Sequence, residues 1–155
     1  VPDISISGGF AFEDQMMKGL ALGAPYFKLI GMARAPLAAA MVGKTIGKKI
    51  DEGMIPVYIE RFGDISEEIF VTAPDLKRKF GKDFEKIPTG AIGVYTYLER
   101  LHQGLRQIMA GCRKFSLEYI SRDDIAALTH DASSISDIPH IMECDKKQVE
   151  KVLNS

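Results

Sequence analysis

A chain of 155 residues that is 46% hydrophobic and 26% charged is long enough for one core, and its formal net charge of -1 gives no field that would attract nucleic acid. An apolar stretch such as residues 35–42 is too short to span a bilayer, and two cysteines without a paired spacing predict neither a disulfide framework nor a zinc site. We therefore expect a cytoplasmic protein that binds neither nucleic acid nor membrane and holds no metal.

Strands and helices are predicted to alternate in the first fifty residues. Each strand is a short apolar or β-branched run that stops at glycine, the first at Gly8-Gly9 and the second at Gly31. Each helix carries apolar side chains at three-to-four spacing, and Pro36 suits the first position of the second helix. This order is the βαβα repeat of parallel α/β folds. The predicted strands are residues 3–7 and 26–30, and the predicted helices are residues 13–22 and 36–50.

Beyond residue 50 the sequence predicts helices and loops. Residues 90–112 keep one apolar stripe, and at about 1.5 Å per residue they predict a helix of roughly 34 Å. Pro56 cannot enter a helix interior, so residues 55–60 are expected to be extended. Ser121 and Asp145 are the predicted N-caps. Shorter helices are predicted over residues 73–80, 116–120, 122–128 and 146–153, and a polar loop over residues 129–136.

Residues 4–43, ISISGGFAFEDQMMKGLALGAPYFKLIGMARAPLAAAMVG, resemble the last two strands of the FMN-binding barrel of the glutamate synthase family. In that family a strand ending in Gly-Gly precedes a helix with the pattern ALALGA and a strand closing on a glycine turn. Two later segments, APDLKRKF at residues 73–80 and YLERLHQGLRQIMAGCRKFSLEYISRDDIAALT at residues 97–129, resemble more weakly the elements that follow the barrel.

The resemblance implies a helix-rich α/β fold: the C-terminal βαβα portion of a (β/α)8 FMN-binding barrel, with a helical C-terminal extension. The implied regions are the last two strand-helix units (residues 1–50), a post-barrel helical region (51–129), and a loop with a short C-terminal helix (130–155).

The resemblance also implies a flavin phosphate site at the two glycine turns. In (β/α)8 barrels the loops after the seventh and eighth strands commonly bind phosphate through backbone amides and a helix N-terminus. Arg34 would add a charge-assisted contact to a phosphate oxygen. The alternative is that these glycines only form the turns at which the strands end. The implied cofactor-binding residues are Gly8, Gly9, Phe10, Gly31, Met32, Ala33 and Arg34.

The chain departs from the family in two respects. Full glutamate synthases carry closely spaced cysteines after the last barrel strand as ligands of an iron–sulfur cluster, whereas residues 41–72 contain none, so no cluster is expected in this segment. Cys112 and Cys144 lie elsewhere and do not substitute for those ligands. A complete barrel has eight strands in about 250 residues, and two strands are predicted here. The family's substrate-binding and flavin ring-binding residues lie mainly on the other strands, so no catalytic residue is assigned.

Other polar and aromatic residues have structural explanations. The histidines match no metal-ligand spacing. Tyr95 and Tyr97 are expected to be core or interface residues, although one of them approaching the flavin of the intact enzyme stays an alternative. The histidines are His102, His130 and His140.

The resemblance implies that the chain is a C-terminal fragment of an FMN-dependent oxidoreductase. The chain opens at Val1 in a predicted strand, which suggests that it begins within a larger gene product, and a two-stranded parallel sheet has unpaired edges. We expect association with the missing N-terminal barrel portion or with another copy, and no activity of the fragment alone. The intact parent would perform reductive amination of 2-oxoglutarate or a related substrate in glutamate biosynthesis. The alternative is a non-enzymatic helical domain that binds a partner or a phosphate ligand.

Overall fold

The structure is a computed structural model that describes residues 3–154, apart from the side chains at positions 147 and 148. The expectation about Val1 lies outside these residues, as do the outer ends of the predicted regions 1–50 and 130–155. The protein is helix-rich and has a small two-stranded parallel sheet, as expected for the helix-rich α/β class. Across the described residues, no helix combines the length and apolar character needed to cross a membrane.

The predicted order of strand, helix, strand and helix is confirmed. The strands pair in parallel from Ile4 opposite Phe27 to Ser7 opposite Gly31, with one irregularity in the register after Ile4. A parallel pair requires a crossover connection, and a ten-residue helix provides it here. These elements are β1 (Ile4–Ser7), α1 (Glu13–Leu22), β2 (Phe27–Gly31) and α2 (Arg34–Asp51).

The rest of the chain is helical, with short 3₁₀ turns. The helix predicted over residues 90–112 is confirmed to within one residue at each end. The further helices are α3 (Val57–Glu60), α4 (Ser66–Ile69), α5 (Ala73–Phe80), α6 (Thr89–Gly111), α7 (His130–Ser136) and α8 (Lys146–Leu153), and the 3₁₀ turns are Gly81–Lys86, Leu117–Tyr119 and Arg122–Asp124.

Three local predictions are wrong. Residues 55–60 are not extended throughout, because Pro56 occupies the N-cap of α3, where its ring does not interrupt the helix. The predicted loop at residues 129–136 contains α7, whose first turn is capped by the Thr129 hydroxyl accepting from the Ala132 amide at 3.1 Å. The predicted helix at residues 122–128 stops after one 3₁₀ turn, because Ala127 forms a β-bridge with His140.

Contacts along the chain define two compact units. The sheet unit comprises the residues up to Ser7, Asp14–Gly31 and the chain from Leu105 onward. The helical unit comprises Gly8–Glu13 and Met32–Gly104. The buried core of the sheet unit is Met17, Leu20, Ala21, Met109 and Ile120, and that of the helical unit is Phe70, Ala73, Leu76, Phe84 and Ile92.

Glycines bring two helices of the helical unit into backbone contact. A Cβ placed on Gly43 of α2 would lie 2.7 Å from the Thr89 carbonyl oxygen and 3.1 Å from the Cα of Gly93. A Cβ placed on Gly93 of α6 would lie 2.8 Å from the Ala39 carbonyl oxygen. No side chain fits between these backbones without displacing one of them. The packing therefore holds α2, the helix that begins at Arg34, close against α6.

Candidate functional site

The two strands end side by side. Ser7, the last residue of β1, pairs with Gly31, the last residue of β2. A Cβ on Gly31 would lie 2.8 Å from the Cβ of Ser7, so glycine permits this close pairing. Because the strands are parallel, both carboxyl ends lie at the same edge of the sheet, and the chain leaves that edge at Gly8 and at Met32.

The turn after β1 requires glycine for its backbone conformation. Gly8 has φ 108° and Gly9 has φ 77°, in a region that residues with a side chain rarely adopt. A Cβ at either position would meet nothing within 4 Å, and both residues are exposed. Packing therefore does not explain these glycines. Their open surroundings let a ligand approach the main chain closely.

The turn after β2 leads directly into the N-terminus of α2. Ala33 is the N-cap residue, and no side chain makes a capping hydrogen bond there. The first turn of the 18-residue helix contains no acidic residue, although acidic residues are favoured at that end of the helix dipole. Arg34, the first helical residue, is exposed. The arrangement presents main-chain donors and one cationic side chain, which is chemistry suited to an anion.

Tyr97 fixes the loop that carries the first glycine turn. Its hydroxyl donates a 2.6 Å hydrogen bond to the carbonyl oxygen of Ala11, in the connection between β1 and α1. Burial, and then the negative charge of Glu13, raise the pKa of the Tyr97 hydroxyl. The hydroxyl therefore stays protonated and able to donate. The sequence predicted a core or interface role for Tyr97, with an approach to the flavin as the alternative, and nothing local signals a contact between residues 86 positions apart.

The structure places most of the expected site residues in one unit. Gly8, Gly9 and Phe10 belong to the helical unit together with Met32, Ala33 and Arg34, whereas Gly31 belongs to the sheet unit, where it pairs with Ser7. Within residues 3–154, no group of three or more histidine, cysteine or acidic side chains is arranged to hold a metal ion. Cys112 packs beside the core of the sheet unit, and Cys144 is exposed.

A separate cleft of about 910 Å³ lies within the helical unit. Glu67 and Lys77 form an ion pair at 2.6 Å on its wall, and the hydrogen bond from Lys77 lowers the pKa of the Glu67 carboxyl. Lys44 and Glu85 also line the cleft. Its lining mixes both signs of charge, so the cleft favours neither an anion nor a cation.

The two turns present groups that are suited to binding an anion through the main chain. Exposed glycine backbone, a helix N-terminus without a side-chain cap and Arg34 occur at the ends of two paired strands. Comparison of the chain with models of protein families, with curated proteins and with solved structures gives no match.

Proposed function

We propose that this chain is the C-terminal part of an FMN-dependent oxidoreductase of the glutamate synthase type, and that its two glycine turns bind the flavin phosphate. The main support is the end-to-end register of β1 and β2, which starts both turns from one edge of the sheet. The open backbone at Gly8 and Gly9 and the helix N-terminus at Ala33 add donors of the kind that phosphate requires.

Each part of the proposed site has a distinct role. The glycine turn after β1 would let main-chain amides reach the phosphate oxygens without interference from a side chain. The first turn of α2 would direct its amides and its positive dipole end toward the same group. Arg34 would form a charge-assisted contact with a phosphate oxygen. When bound, FMN would supply hydride transfer to a substrate such as the imino acid formed from 2-oxoglutarate and ammonia.

The proposal requires partners for the sheet. Parallel sheets are normally covered on both faces, whereas Leu29 of β2 is 65% exposed and Ile4 of β1 is 41% exposed. Each strand pairs with one neighbour in the described chain, so each has an outer edge that can accept another strand. Strands from the remaining barrel portion would cover these edges, and another copy of the chain is the alternative partner.

A helical domain that binds a phosphate ligand without catalysis is the second candidate. The observation in its favour is the composition of the turns, because Arg34 is their one charged side chain and none of their residues can serve as a general acid or base near neutral pH. Both functions predict phosphate binding. They differ in whether the flavin contributes to recognition.

Titration of the chain with FMN, riboflavin and inorganic phosphate, followed by amide NMR, tests the proposal. We expect FMN at millimolar concentration to shift the amide signals of residues 8–10 and 32–34. Riboflavin has the same ring system without the phosphate, and it should leave these signals in place. Equal binding of FMN and inorganic phosphate would favour the second candidate, and no response to either would contradict both.

Two glycine substitutions provide a matched pair for this titration. Gly9→Val should abolish the FMN-induced shifts because it forces a branched side chain into a positive φ at the proposed site. Gly53→Val is the control, since Gly53 also has a positive φ, of 63°, with no atom within 4 Å of its potential Cβ, and lies outside the turns. Equal FMN responses in the two variants would contradict a phosphate site at Gly9.

A further inference from the structure

Two histidine rings are stacked in the C-terminal part of the sheet unit. The ring centroids of His130 and His140 are 4.4 Å apart, and the ring planes differ by 14°. His130 is the first residue of α7, and His140 follows the loop at the end of that helix. The stacked pair therefore closes the loop that contains α7.

His140 is held through both its backbone and its ring. Its bridge with Ala127 comprises a hydrogen bond from the Ala127 amide to the Pro139 carbonyl oxygen and one from the Ile141 amide to the Ala127 carbonyl oxygen, each of 2.9 Å. The Met142 amide donates to the ring nitrogen Nδ1 of His140 at 3.3 Å. An Nδ1 that accepts this bond carries no proton.

We propose that this pair is a pH-sensitive clasp, in which neutral His130 and His140 hold residues 127–142 closed and their protonation opens the segment. Histidine is the side chain whose charge ordinarily changes between about pH 5 and 8. A proton on Nδ1 of His140 removes the acceptor for the Met142 amide. When both rings are charged, two cations face each other at the stacking distance and repel.

The repulsion between two charged rings is not offset by an ion pair with a neighbouring side chain. Within the described part of the chain, no carboxylate forms an ion pair with either ring. Arg122 donates to the Ser136 carbonyl oxygen and adds a positive charge beside α7. The other charged or titratable residues close to the clasp in sequence are Asp131, Asp137, Glu143, Cys144, Asp145 and Lys146.

Opening of the clasp would expose side chains that the closed segment buries. Ile138 and Ala127 are each 7% exposed and flank the bridge to His140. The Ser133 hydroxyl donates to the Ile138 carbonyl oxygen at 2.7 Å, and this bond links α7 to the loop that the clasp closes. Acid would therefore release α7 and expose these two buried apolar side chains.

Amide hydrogen exchange as a function of pH tests the clasp. We expect the protection factors of Ala127, Ile141 and Met142 to fall about tenfold between about pH 7.5 and pH 5.5 as the histidines become charged. The amide of Met109, in the core of the sheet unit, should keep its protection over the same range. Unchanged protection of the clasp amides would overturn the proposal.

Three variants separate the clasp from general acid sensitivity. His140→Asn cannot titrate and should abolish the pH-dependent loss of protection, whereas His130→Phe keeps a stacked ring without a second charge and should reduce that loss to a few-fold. His102→Phe removes an exposed histidine from α6 and should retain the whole effect. A response in His140→Asn as large as that in the unmodified chain would overturn the proposal, even if His130→Phe fails to fold.

Discussion

Glycine has opposite roles in two regions of this protein. At Gly8 and Gly9 the backbone adopts positive φ angles and the space beside it is open. At Gly43 and Gly93 the backbone is helical and another helix fills the space. The first pair fits a requirement to present main chain to a ligand, and the second fits a requirement of packing. The surroundings of a glycine therefore distinguish a functional candidate from a structural one.

The largest effect is expected where a side chain is forced between the packed helices. Gly93→Leu should destabilise the chain by about 3 kcal/mol, because an inserted side chain must displace α2 or α6. Urea unfolding followed by circular dichroism measures the loss. Gly111→Ala is the control, since a Cβ there meets nothing within 4 Å. Equal stability of the two variants would remove the distinction between crowded and open glycines.

A smaller effect is expected at the end of the sheet. Gly31→Ala should cost about 2 kcal/mol, because the new Cβ would lie 2.8 Å from the Cβ of Ser7. Ser7→Gly removes that partner atom, so Gly31→Ala should cost less in the Ser7→Gly background. A double-mutant cycle of unfolding free energies measures this coupling. Strictly additive effects would show that the two residues do not meet at the strand ends.

Removal of the Tyr97 hydroxyl tests the loop that carries the open glycines. Tyr97→Phe should cost about 1 kcal/mol through the lost hydrogen bond to Ala11. The pKa of Tyr97 is raised in the folded protein. Its contribution to the free energy of unfolding is therefore present below the ordinary pKa range of tyrosine, and it is lost as the pH rises through the raised pKa. The difference in unfolding free energy between Tyr97→Phe and the unmodified chain should therefore become smaller at alkaline pH. Tyr95→Phe, at a more exposed position on α6, is the control.

The smallest effect is expected for the exposed ion pair of the helical unit. Glu67→Gln removes the partner of Lys77, whose hydrogen bond lowers the pKa of the Glu67 carboxyl. The contribution of Glu67 to the free energy of unfolding is present above the ordinary pKa range of a carboxyl group, and it is lost as the pH falls through the lowered pKa. The variant should therefore be as stable as the unmodified chain in acid. Thermal unfolding at several pH values measures the stability difference, with Glu118→Gln as the control. A loss larger than that of Gly93→Leu would mean that charge, not packing, holds this unit together.

Sequence patterns predicted the elements whose signals are local. The apolar stripe of α6 and the glycines after both strands gave bounds close to the observed ones, whereas Pro36, predicted as the first residue of the second helix, is the third residue of α2. Ser121 occupies the N-cap position as predicted, and its amide donates to the Asp124 carboxylate at 2.8 Å. Such signals depend on residues within one turn of each other, which a single sequence displays.

The features that the sequence did not predict depend on contacts between distant positions. Helix α7 has a polar composition, and its loop is closed by the pairing of Ala127 with His140 and by the stacked histidines. Tyr97 donates a hydrogen bond to Ala11, which lies far earlier in the chain. For the candidate site, the sequence located both glycine turns, but it could not give the register that aligns their starting points. Register follows from tertiary pairing, which no single segment encodes.

The uncapped start of α2 has a consequence for protein engineering. Serine or aspartate at position 33 would cap the helix, so a selection for heat resistance would favour replacing Ala33. A capping side chain at position 33 would occupy the Ala35 amide in the first turn of α2, because Pro36 has no N–H to donate, and aspartate would also repel an anion. A gain in thermostability at this single position would therefore weaken binding of the proposed ligand.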